Sequence, residues 1–255
     1  MYNFNDIDLN NKNFKQRRRL FNNLKLIIGK KDTSNLISIK NIKKGDFLAI
    51  EGEPVNGIYF ILEGKAKVFN AGLHQKNQIL RLVSKGDIVG LSSLNSTRYW
   101  SSVMVIESVK AYFINLKNLK FLLKSNNKLS ILLVNSLALK LRHYEVRQKH
   151  LSLLPASERV IDALLLTAYK FGVTTDQGIE ISSGTSRKDL ASFANTSSEK
   201  AIRTLSYLKS IRHIEISGKK IVIKNKDGLI NLLSKQLENV EESTDLKVFY
   251  PNLFY

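Results

Sequence analysis

The stretch SRKDLASFANTSSEKAIRTLSYLKSIRHIEISGKKIVIK, residues 186–224, carries the strongest fold signal in the chain. It predicts two short amphipathic helices, each opened by a hydroxyl residue followed three positions later by an acidic one, at Ser186–Asp189 and Thr196–Glu199. Two strands around a turn at Gly218 are expected to follow. The second helix is expected to bury four apolar residues: Ala201, Ile202, Leu205 and Leu208. This order of elements predicts a winged helix-turn-helix.

Basic side chains are concentrated in the same stretch. Residues 185–224 contain nine basic side chains and three acidic ones. The whole chain has a formal net charge of +18 and a pI of about 9.9, and strongly basic proteins are attracted to polyanions. Because lysine, asparagine and isoleucine are abundant throughout the chain, the position of the charge is better evidence than its total. Double-stranded DNA is the expected partner.

The remaining sequence predicts an α+β chain. Glycines separate short runs of β-branched and aromatic residues between residues 36 and 114, such as IYFIL (58–62) and KAKVF (65–69), which is typical of a double-stranded β-helix, that is, a β-roll or jelly-roll-like domain. Helical propensity follows, with a break expected at residues 125–127 and a boundary at Pro155. The predicted organisation is an N-terminal extension with an amphipathic helix (1–30), a β-roll (31–115), a hinge and long helix (116–154), the winged helix-turn-helix (155–228), and a C-terminal helix and tail (229–255).

The long helix carries one apolar stripe. Leu133, Leu137, Leu141 and Tyr144 follow one another at spacings of four, four and three residues. A narrow apolar seam of this kind can pair with the same helix of a second copy, so these four residues are the predicted dimer interface. The alternative is that the stripe packs on the β domain of its own chain.

Several classes of function are excluded or disfavoured by what the sequence contains. The chain has no cysteine, which excludes disulfides, thiolate zinc sites and cysteine-ligated iron–sulfur clusters. The four histidines, His74, His143, His150 and His213, show no metal-ligand spacing, so no metal site is predicted, although single histidines leave haem ligation open. No nucleophile elbow or P-loop is present, and we expect no enzymatic activity. Neither a signal peptide nor an apolar run of roughly 18 residues is found, which predicts a cytoplasmic protein without membrane attachment.

The chain resembles the Crp/Fnr family of bacterial transcription regulators over about residues 36–228. KKGDFLAIEGEPVNGIYFILEGKAKVF (43–69) is similar to the opening of the family's β-roll, and GDIVG (86–90) to the turn into its effector pocket. The stretch 186–224 is similar to its winged helix-turn-helix. The resemblance implies a homodimer formed through residues 127–151, whose two recognition helices enter successive major grooves of a near-palindromic site. It also implies RNA polymerase as a candidate partner.

The resemblance further implies which residues contact DNA. The family's recognition helix begins with a glutamate and, four residues later, an arginine that contact base edges, and Glu199 and Arg203 match this pattern. Arg203 suits guanine and Glu199 suits the amino group of cytosine, although a helix cap shared with Thr196 would also explain Glu199. Ser198 stands where some members have another arginine, which predicts a missing or weaker base contact. Phosphate contacts are expected from four basic residues: Arg187, Lys200, Lys219 and Lys220.

The β domain departs from the family pattern for cyclic AMP. Members that bind this ligand have a glutamate after the GDIVG-like turn and an arginine–serine pair further along, and these positions fall on Leu91 and near Trp100. We therefore expect no cyclic AMP binding and predict no cofactor. The candidate effector pocket consists of Gly90, Leu91, Ser92, Trp100 and Ser101. Tyr99 and Trp100 are expected either to stack on another planar ligand or to cover the end of the β core. The alternative function is a ligand-sensing or protein-interaction module whose winged helix does not bind DNA.

Overall fold

The computed structural model describes residues 35–72, 77–181 and 186–238, with side chains up to Leu233. The helix predicted within residues 1–30 and the tail beyond residue 238 lie outside these ranges. The described residues form two compact units that divide between Arg142 and His143. The fold is α+β, as predicted from the sequence.

The N-terminal unit contains antiparallel strands that curl into the predicted β domain. Among the described residues these strands are β1 (Ser38–Ile42), β2 (Phe47–Ala49), β3 (Gly57–Asn70), β4 (Gln78–Val83), β5 (Ile88–Val89) and β6 (Ser102–Asn115). The sheet order is β1-β6-β3-β4, with β2 also beside β6 and β5 also beside β3. Side chains such as Leu48, Ile61, Val83 and Val105 fill the interior, which is why the strands are rich in branched apolar residues.

Strand β3 differs from the sequence prediction. The runs 58–62 and 65–69 are not two strands separated by a turn, because they belong to one strand that passes through Gly64. Gly64 has a φ of +90°, and a Cβ there would lie 2.1 Å from the Ser108 carbonyl oxygen. The register between β3 and β6 shifts on both sides of this position. Glycine therefore allows a bulge within a continuous strand, instead of a turn between two strands.

Two helices follow β6. Helix α1 spans Leu116–Ser125 and α2 spans Asn127–Leu153, so the break predicted at residues 125–127 is confirmed. The Asn115 side chain caps α1 by accepting a hydrogen bond of 2.8 Å from the Asn118 amide. Both helices bury leucines against Ile58 and Ile114 of the sheet: Leu119, Leu122, Leu129, Leu132 and Leu133.

The C-terminal unit is a winged helix-turn-helix, as predicted. Its elements are α3 (Ala156–Phe171), β7 (Val173–Thr175), β8 (Gly178–Ile181), α4 (Arg187–Phe193), α5 (Ser198–Ser210), β9 (Ile214–Ser217), β10 (Lys220–Ile223) and α6 (Lys226–Glu238). The strands form an antiparallel sheet in the order β7-β8-β10-β9. Leu164 of α3, Leu205 and Leu208 of α5 and Ile223 of β10 are buried in its core. This core holds α5 with its opposite face toward solvent.

Candidate nucleic-acid interface

Helix α4 begins with the cap that the sequence predicts. The Ser186 hydroxyl accepts a hydrogen bond of 3.0 Å from the Asp189 amide, and the Ser186 amide donates one of 3.2 Å to the Asp189 carboxylate. These reciprocal bonds satisfy amides that the first turn of a helix leaves without partners. The capping box at Ser186–Asp189 is confirmed.

Helix α5 begins with a different cap from the predicted one. Its N-cap is Ser197, whose hydroxyl accepts a hydrogen bond of 3.1 Å from the Lys200 amide. The box predicted at Thr196–Glu199 is therefore wrong by one residue, because the turn places Ser197, rather than Thr196, at the first helical boundary. Glu199 is consequently not required for the cap.

The Glu199 carboxylate instead faces Arg203. The two charged groups are 3.4 Å apart, and their side chains are 76% and 69% exposed, respectively. A spacing of four residues places both side chains on one face of α5. A pair so exposed to water is held only weakly. Both groups are therefore available to other partners.

Ile202 lies on the same exposed face, and this corrects the prediction that it is buried. Its side chain is 50% exposed, whereas Ala201, Leu205 and Leu208 are buried as expected. Thr204 completes the inner face, where its hydroxyl donates a hydrogen bond of 2.9 Å to the Lys200 carbonyl oxygen. Residues 201, 204, 205 and 208 already form a complete inner stripe, and a helical projection places Ile202 outside it. That projection is the sequence signal that would have found it.

The exposed face of α5 is therefore mixed in chemistry. It presents an acid, a base, a branched alkyl group and small hydroxyls within neighbouring turns. The residues that line this face are Ser198, Glu199, Ile202, Arg203 and Ser206. Donors, acceptors and apolar groups together are what recognition of base edges in a major groove requires.

Two of the predicted phosphate contacts, Arg187 and Lys220, have partners within the domain. Arg187 donates a hydrogen bond of 3.2 Å to the carbonyl oxygen of Gly218 at the tip of the wing, and burial lowers the pKa of its half-buried guanidinium. Lys220 pairs with Glu180 at 2.6 Å. These contacts connect α4 and β8 to the β9–β10 hairpin and hold the wing in place.

The other two predicted phosphate contacts are placed differently. Lys219 is exposed beside Gly218, at the tip of the wing, and Lys200 is half-buried in the first turn of α5. Gly218 has a φ of +57°, a conformation that glycine adopts without strain. Of the basic residues at the wing tip, Lys219 is the one whose side chain extends from the turn into solvent.

The predicted dimer stripe on α2 is divided by the fold. Leu133 is 4% exposed and packs in the β-domain core, so it is not part of an exposed seam, and for this residue the alternative of packing on its own chain is correct. Leu137, Leu141 and Tyr144 are exposed, and Val134 joins them. The revised stripe of Val134, Leu137, Leu141 and Tyr144 has spacings of three, four and three residues, which is the heptad pattern of a helix that pairs with another helix.

The candidate effector residues differ in their exposure to solvent. Leu91 is 4% exposed and packs in the core with Ile58 and Ile88. Trp100 is 65% exposed, and its amide donates a hydrogen bond of 3.2 Å to the hydroxyl of Ser93. Ser92 is exposed, Ser101 is half-buried, and the buried Gly90 has a φ of +91°. The GDIVG turn therefore keeps its glycine conformation, while the next side chain points into the core.

The two neighbouring aromatic residues of this segment have opposite environments. Tyr99 is buried at the end of the β core, and its hydroxyl donates a hydrogen bond of 2.6 Å to the Asn56 side chain. Burial raises the pKa of Tyr99. The expectation that the aromatic residues cover the core is therefore correct for Tyr99 and wrong for Trp100, which is exposed. Arg98, the nearest cation in sequence, donates a hydrogen bond of 2.6 Å to the Gly52 carbonyl oxygen.

Residues 35–72, 77–181 and 186–238 contain no group of three or more histidine, cysteine, aspartate or glutamate side chains arranged to hold a metal ion. Over the same ranges, no helix combines the length and the apolar character needed to span a membrane.

Each of the two units contains a segment that matches a known protein family. Residues 39–126 match the model of the cyclic nucleotide-binding domain, and residues 158–232 match that of the Crp-like helix-turn-helix domain. The chain is 27% identical over 194 residues to the anaerobic regulatory protein of Bacillus subtilis, covering 74% of this chain and 81% of that protein. It is 24% identical to the CRP-like cAMP-activated global transcriptional regulator of Mycobacterium tuberculosis, covering 73% and 84%. The fold matches the solved structure of FixK2 from Bradyrhizobium japonicum with a TM-score of 0.68 at 23% identity, covering 77% of this chain and 96% of that one.

Proposed function

Since this chain belongs to the Crp/Fnr family of DNA-binding transcription regulators, we propose that it binds a near-palindromic double-stranded DNA site as a homodimer and reads that site with α5. One observation carries the proposal. Glu199, Ile202 and Arg203 share the exposed face of α5, opposite the face that is buried in the domain. The match to a Crp-like helix-turn-helix favours DNA, rather than a protein, as the ligand of this face.

Each of these side chains suits a different base edge. The Arg203 guanidinium donates two hydrogen bonds to O6 and N7 of guanine, and the Glu199 carboxylate accepts one from the amino group of cytosine. Ile202 offers an alkyl surface to the methyl group of thymine. Ser198, at the start of α5, supplies a hydroxyl, which is a shorter and less selective donor than a second arginine.

Basic side chains around this face hold the phosphate backbone. Lys219 at the wing tip and Lys200 in the first turn of α5 contact phosphates, which set position but not sequence. Arg187 and Lys220 reach phosphates only by sharing or leaving their partners Gly218 and Glu180. We therefore rank Lys219 above Lys220 as a phosphate contact.

The dimer forms through the revised stripe on α2. Val134, Leu137, Leu141 and Tyr144 are exposed along one helical seam, and pairing two copies about a two-fold axis buries all four from each chain. A two-fold symmetric dimer presents two copies of α5, which is why the site is near-palindromic, with half-sites about one DNA turn apart. RNA polymerase is the proposed partner of the DNA-bound dimer.

The β domain does not bind cyclic AMP in the family's manner. A cyclic nucleotide needs a cation for its phosphate and an acceptor for its ribose. The position after the GDIVG turn carries a buried leucine, Leu91, and the position further along carries the exposed, uncharged Trp100. Any effector of this protein therefore uses other groups.

Selection of bound sequences from random duplex DNA tests the proposal. The full-length protein is expected to enrich two inverted half-sites that contain G·C and T·A pairs at the positions facing α5. Footprinting of the selected site is expected to show protection of two adjacent major grooves. If no sequence is enriched over several rounds while the protein stays folded, the proposed function is wrong.

A further inference from the structure

The turn between α4 and α5 is held by arginines from outside the helix-turn-helix. Three successive carbonyl oxygens, of Phe193, Ala194 and Asn195, accept hydrogen bonds from guanidinium groups. These carbonyls belong to the last residue of α4 and the two residues after it, where a helix leaves acceptors without partners. Asn195 has a φ of +48°, so the chain reverses sharply here, two residues before the N-cap of α5.

Arg159 of α3 donates three hydrogen bonds from one side chain, two of them to this turn. Its Nε donates to the Ala194 carbonyl oxygen at 3.0 Å, and its Nη2 donates to that of Asn195 at 3.1 Å. Its Nη1 donates at 3.1 Å to the carbonyl oxygen of Leu154, the residue that follows α2. One planar guanidinium thus joins the end of α2 to the turn, a geometry that lysine cannot reproduce.

Arg147 of α2 supplies the second connection. Its guanidinium donates to the carboxylate of Asp162 on α3 and to the carbonyl oxygen of Phe193. It also lies 4.5 Å from the centre of the Phe193 ring, in cation–π geometry. The Arg147 side chain is 11% exposed and that of Asp162 is 1% exposed, with His150 Nδ1 3.3 Å from the other carboxylate oxygen. The pair is therefore shielded from solvent, and salt weakens it less than it weakens a surface pair.

We infer that Arg147, with Asp162, and Arg159 are positioning residues that couple α2 to the orientation of the recognition helix α5. Helix α2 is continuous from Asn127 to Leu153, and Arg147 lies one turn beyond the exposed stripe that ends at Tyr144. A displacement of this part of α2 reaches the turn through two guanidinium groups, and α5 begins three residues after Asn195. The inference rests on the proposed function for the role of α2 in the dimer and for the role of α5 as the recognition helix.

A role confined to stability predicts different behaviour. Buried charges contribute little net stability when both partners are replaced by apolar groups of similar volume, whereas removing one partner leaves the other unpaired and is strongly destabilising. The informative variant is therefore the double replacement Arg147→Met with Asp162→Asn, because the asparagine side chain can keep the hydrogen bond with the buried His150. It removes both charges and the bond to Phe193, but leaves the apolar packing of α3 in place.

The test compares this double variant and Arg159→Met with the wild type, all as full-length protein. We expect near-wild-type unfolding midpoints and dimer dissociation constants, together with a loss of affinity of about tenfold for the selected site. Affinity for random duplex DNA is expected to change by less than about twofold, because phosphate contacts outside α5, such as that of Lys219, do not require an aligned α5. Arg159→Lys, which keeps the charge, is expected to recover only part of the loss.

Hydrogen–deuterium exchange without DNA separates this inference from the proposed function. Faster exchange is expected in both variants at the amides of residues 194–198, with unchanged exchange in β10. Folded variants with wild-type affinity for the site and unchanged exchange at the turn would overturn the inference. If the double variant does not fold, Arg159→Met decides by the same two measurements. If the wild type itself shows no site preference, the proposed function fails, and the exchange at residues 194–198 still decides whether the arginines hold the turn.

Discussion

The carboxylate of Glu199 lies 3.4 Å from the guanidinium of Arg203, one turn further along α5, and both side chains are largely exposed. This pair keeps the two groups extended along the helix surface in the absence of DNA. Because exposed pairs of this kind are worth roughly 0–1 kcal/mol, separating them on DNA costs little compared with a base contact.

Replacement of Arg203 by alanine is expected to cost about 1–3 kcal/mol of binding free energy at the selected site and to relax the preference at one base pair. The reason is the loss of two hydrogen bonds to a guanine edge. Binding to a panel of sites with every base pair substituted measures the effect. Lys209→Ala, which removes one exposed cation near the end of α5, is the matched control. Equal losses on the selected site and on random DNA would contradict base reading by Arg203.

Ile202 is expected to recognise thymine through its methyl group. Replacing the thymine opposite α5 by uracil removes only that methyl group. Wild-type binding should weaken about fourfold, because burying one carbon contributes about 0.8 kcal/mol. The variant Ile202→Ser should bind both sites equally, and because the side chain is half exposed it should remain as stable as the wild type. Tyr207→Ala, also exposed on α5, is the control. Retention of the thymine preference by Ile202→Ser would show that Ile202 does not contact the base.

The neighbouring lysines of the wing are expected to behave differently. Lys219→Ala should weaken binding to all sequences. It should also reduce the magnitude of the slope of log K against log salt concentration by about one, which corresponds to one lost phosphate contact. Lys220→Ala should reduce that slope less, because its ammonium group lies 2.6 Å from Glu180. Titrations at four or more salt concentrations on random DNA measure both. An equal reduction in the two variants would mean that the pair with Glu180 opens freely on DNA.

A charge in the exposed stripe of α2 is expected to give a folded monomer. Leu141 is 60% exposed, so Leu141→Glu should leave the fold of each chain intact, but it places like charges opposite each other in the paired helices. Sedimentation equilibrium should show the monomer, with weaker binding to the two-half-site DNA. Phe121→Glu is the matched control, because Phe121 is equally exposed on α1 but lies outside the stripe. A dimer of unchanged stability in Leu141→Glu would place the interface elsewhere.

Leu133, on the same helix as Leu141, is expected to affect the stability of the fold. Because it is buried in the β-domain core, Leu133→Ala should lower the free energy of unfolding by about 2–5 kcal/mol. Chemical denaturation followed by circular dichroism measures this change. An unfolding free energy within about 1 kcal/mol of the wild type, below the range for a buried leucine, would contradict the assignment of Leu133 to the core.

Cyclic AMP is expected neither to bind nor to change DNA affinity. Leu91 is buried in the core and Trp100 carries no charge, so neither can hold the ribose or the phosphate of the ligand. Isothermal titration calorimetry and DNA binding with and without the nucleotide measure this. The cAMP-activated regulator of Mycobacterium tuberculosis, to which the chain is similar, is the positive control. Saturable binding together with a shift in DNA affinity would show that other residues hold the nucleotide.

Local signals in the sequence predicted much of this protein. The break before Asn127 and the capping box of α4 each depend on residues within a few positions of one another, and each is confirmed. The domain boundary predicted at Pro155 stays a prediction, and the two compact units divide between Arg142 and His143. The order of strands and helices was sufficient to predict a β-roll followed by a winged helix-turn-helix. The placement of Glu199 and Arg203 on one helix face follows from their spacing alone.

The sequence was ambiguous wherever it was compatible with more than one local arrangement. Thr196 and Ser197 both carry a hydroxyl that can cap α5, and only the path of the turn selects Ser197. Ala201 and Ile202 are both apolar, but a helical projection places only Ala201 on the stripe that contains Leu205, and Ile202 is exposed. Gly64 is compatible with a turn or a bulge, and the close approach of Ser108 decides for the bulge.

The sequence by itself thus determined the elements, their order and the chemistry that α5 carries, because helix period, caps and turns depend on near neighbours. Only the tertiary structure decided which apolar residues of the long helix are buried and which distant groups meet. Arg147 contacts Asp162, 15 positions away, and Phe193, 46 positions away. Leu133 is buried in the β-domain core, whereas Leu137, one turn further along the same helix, is exposed. Such contacts depend on how the elements pack, and no local pattern of residues encodes them.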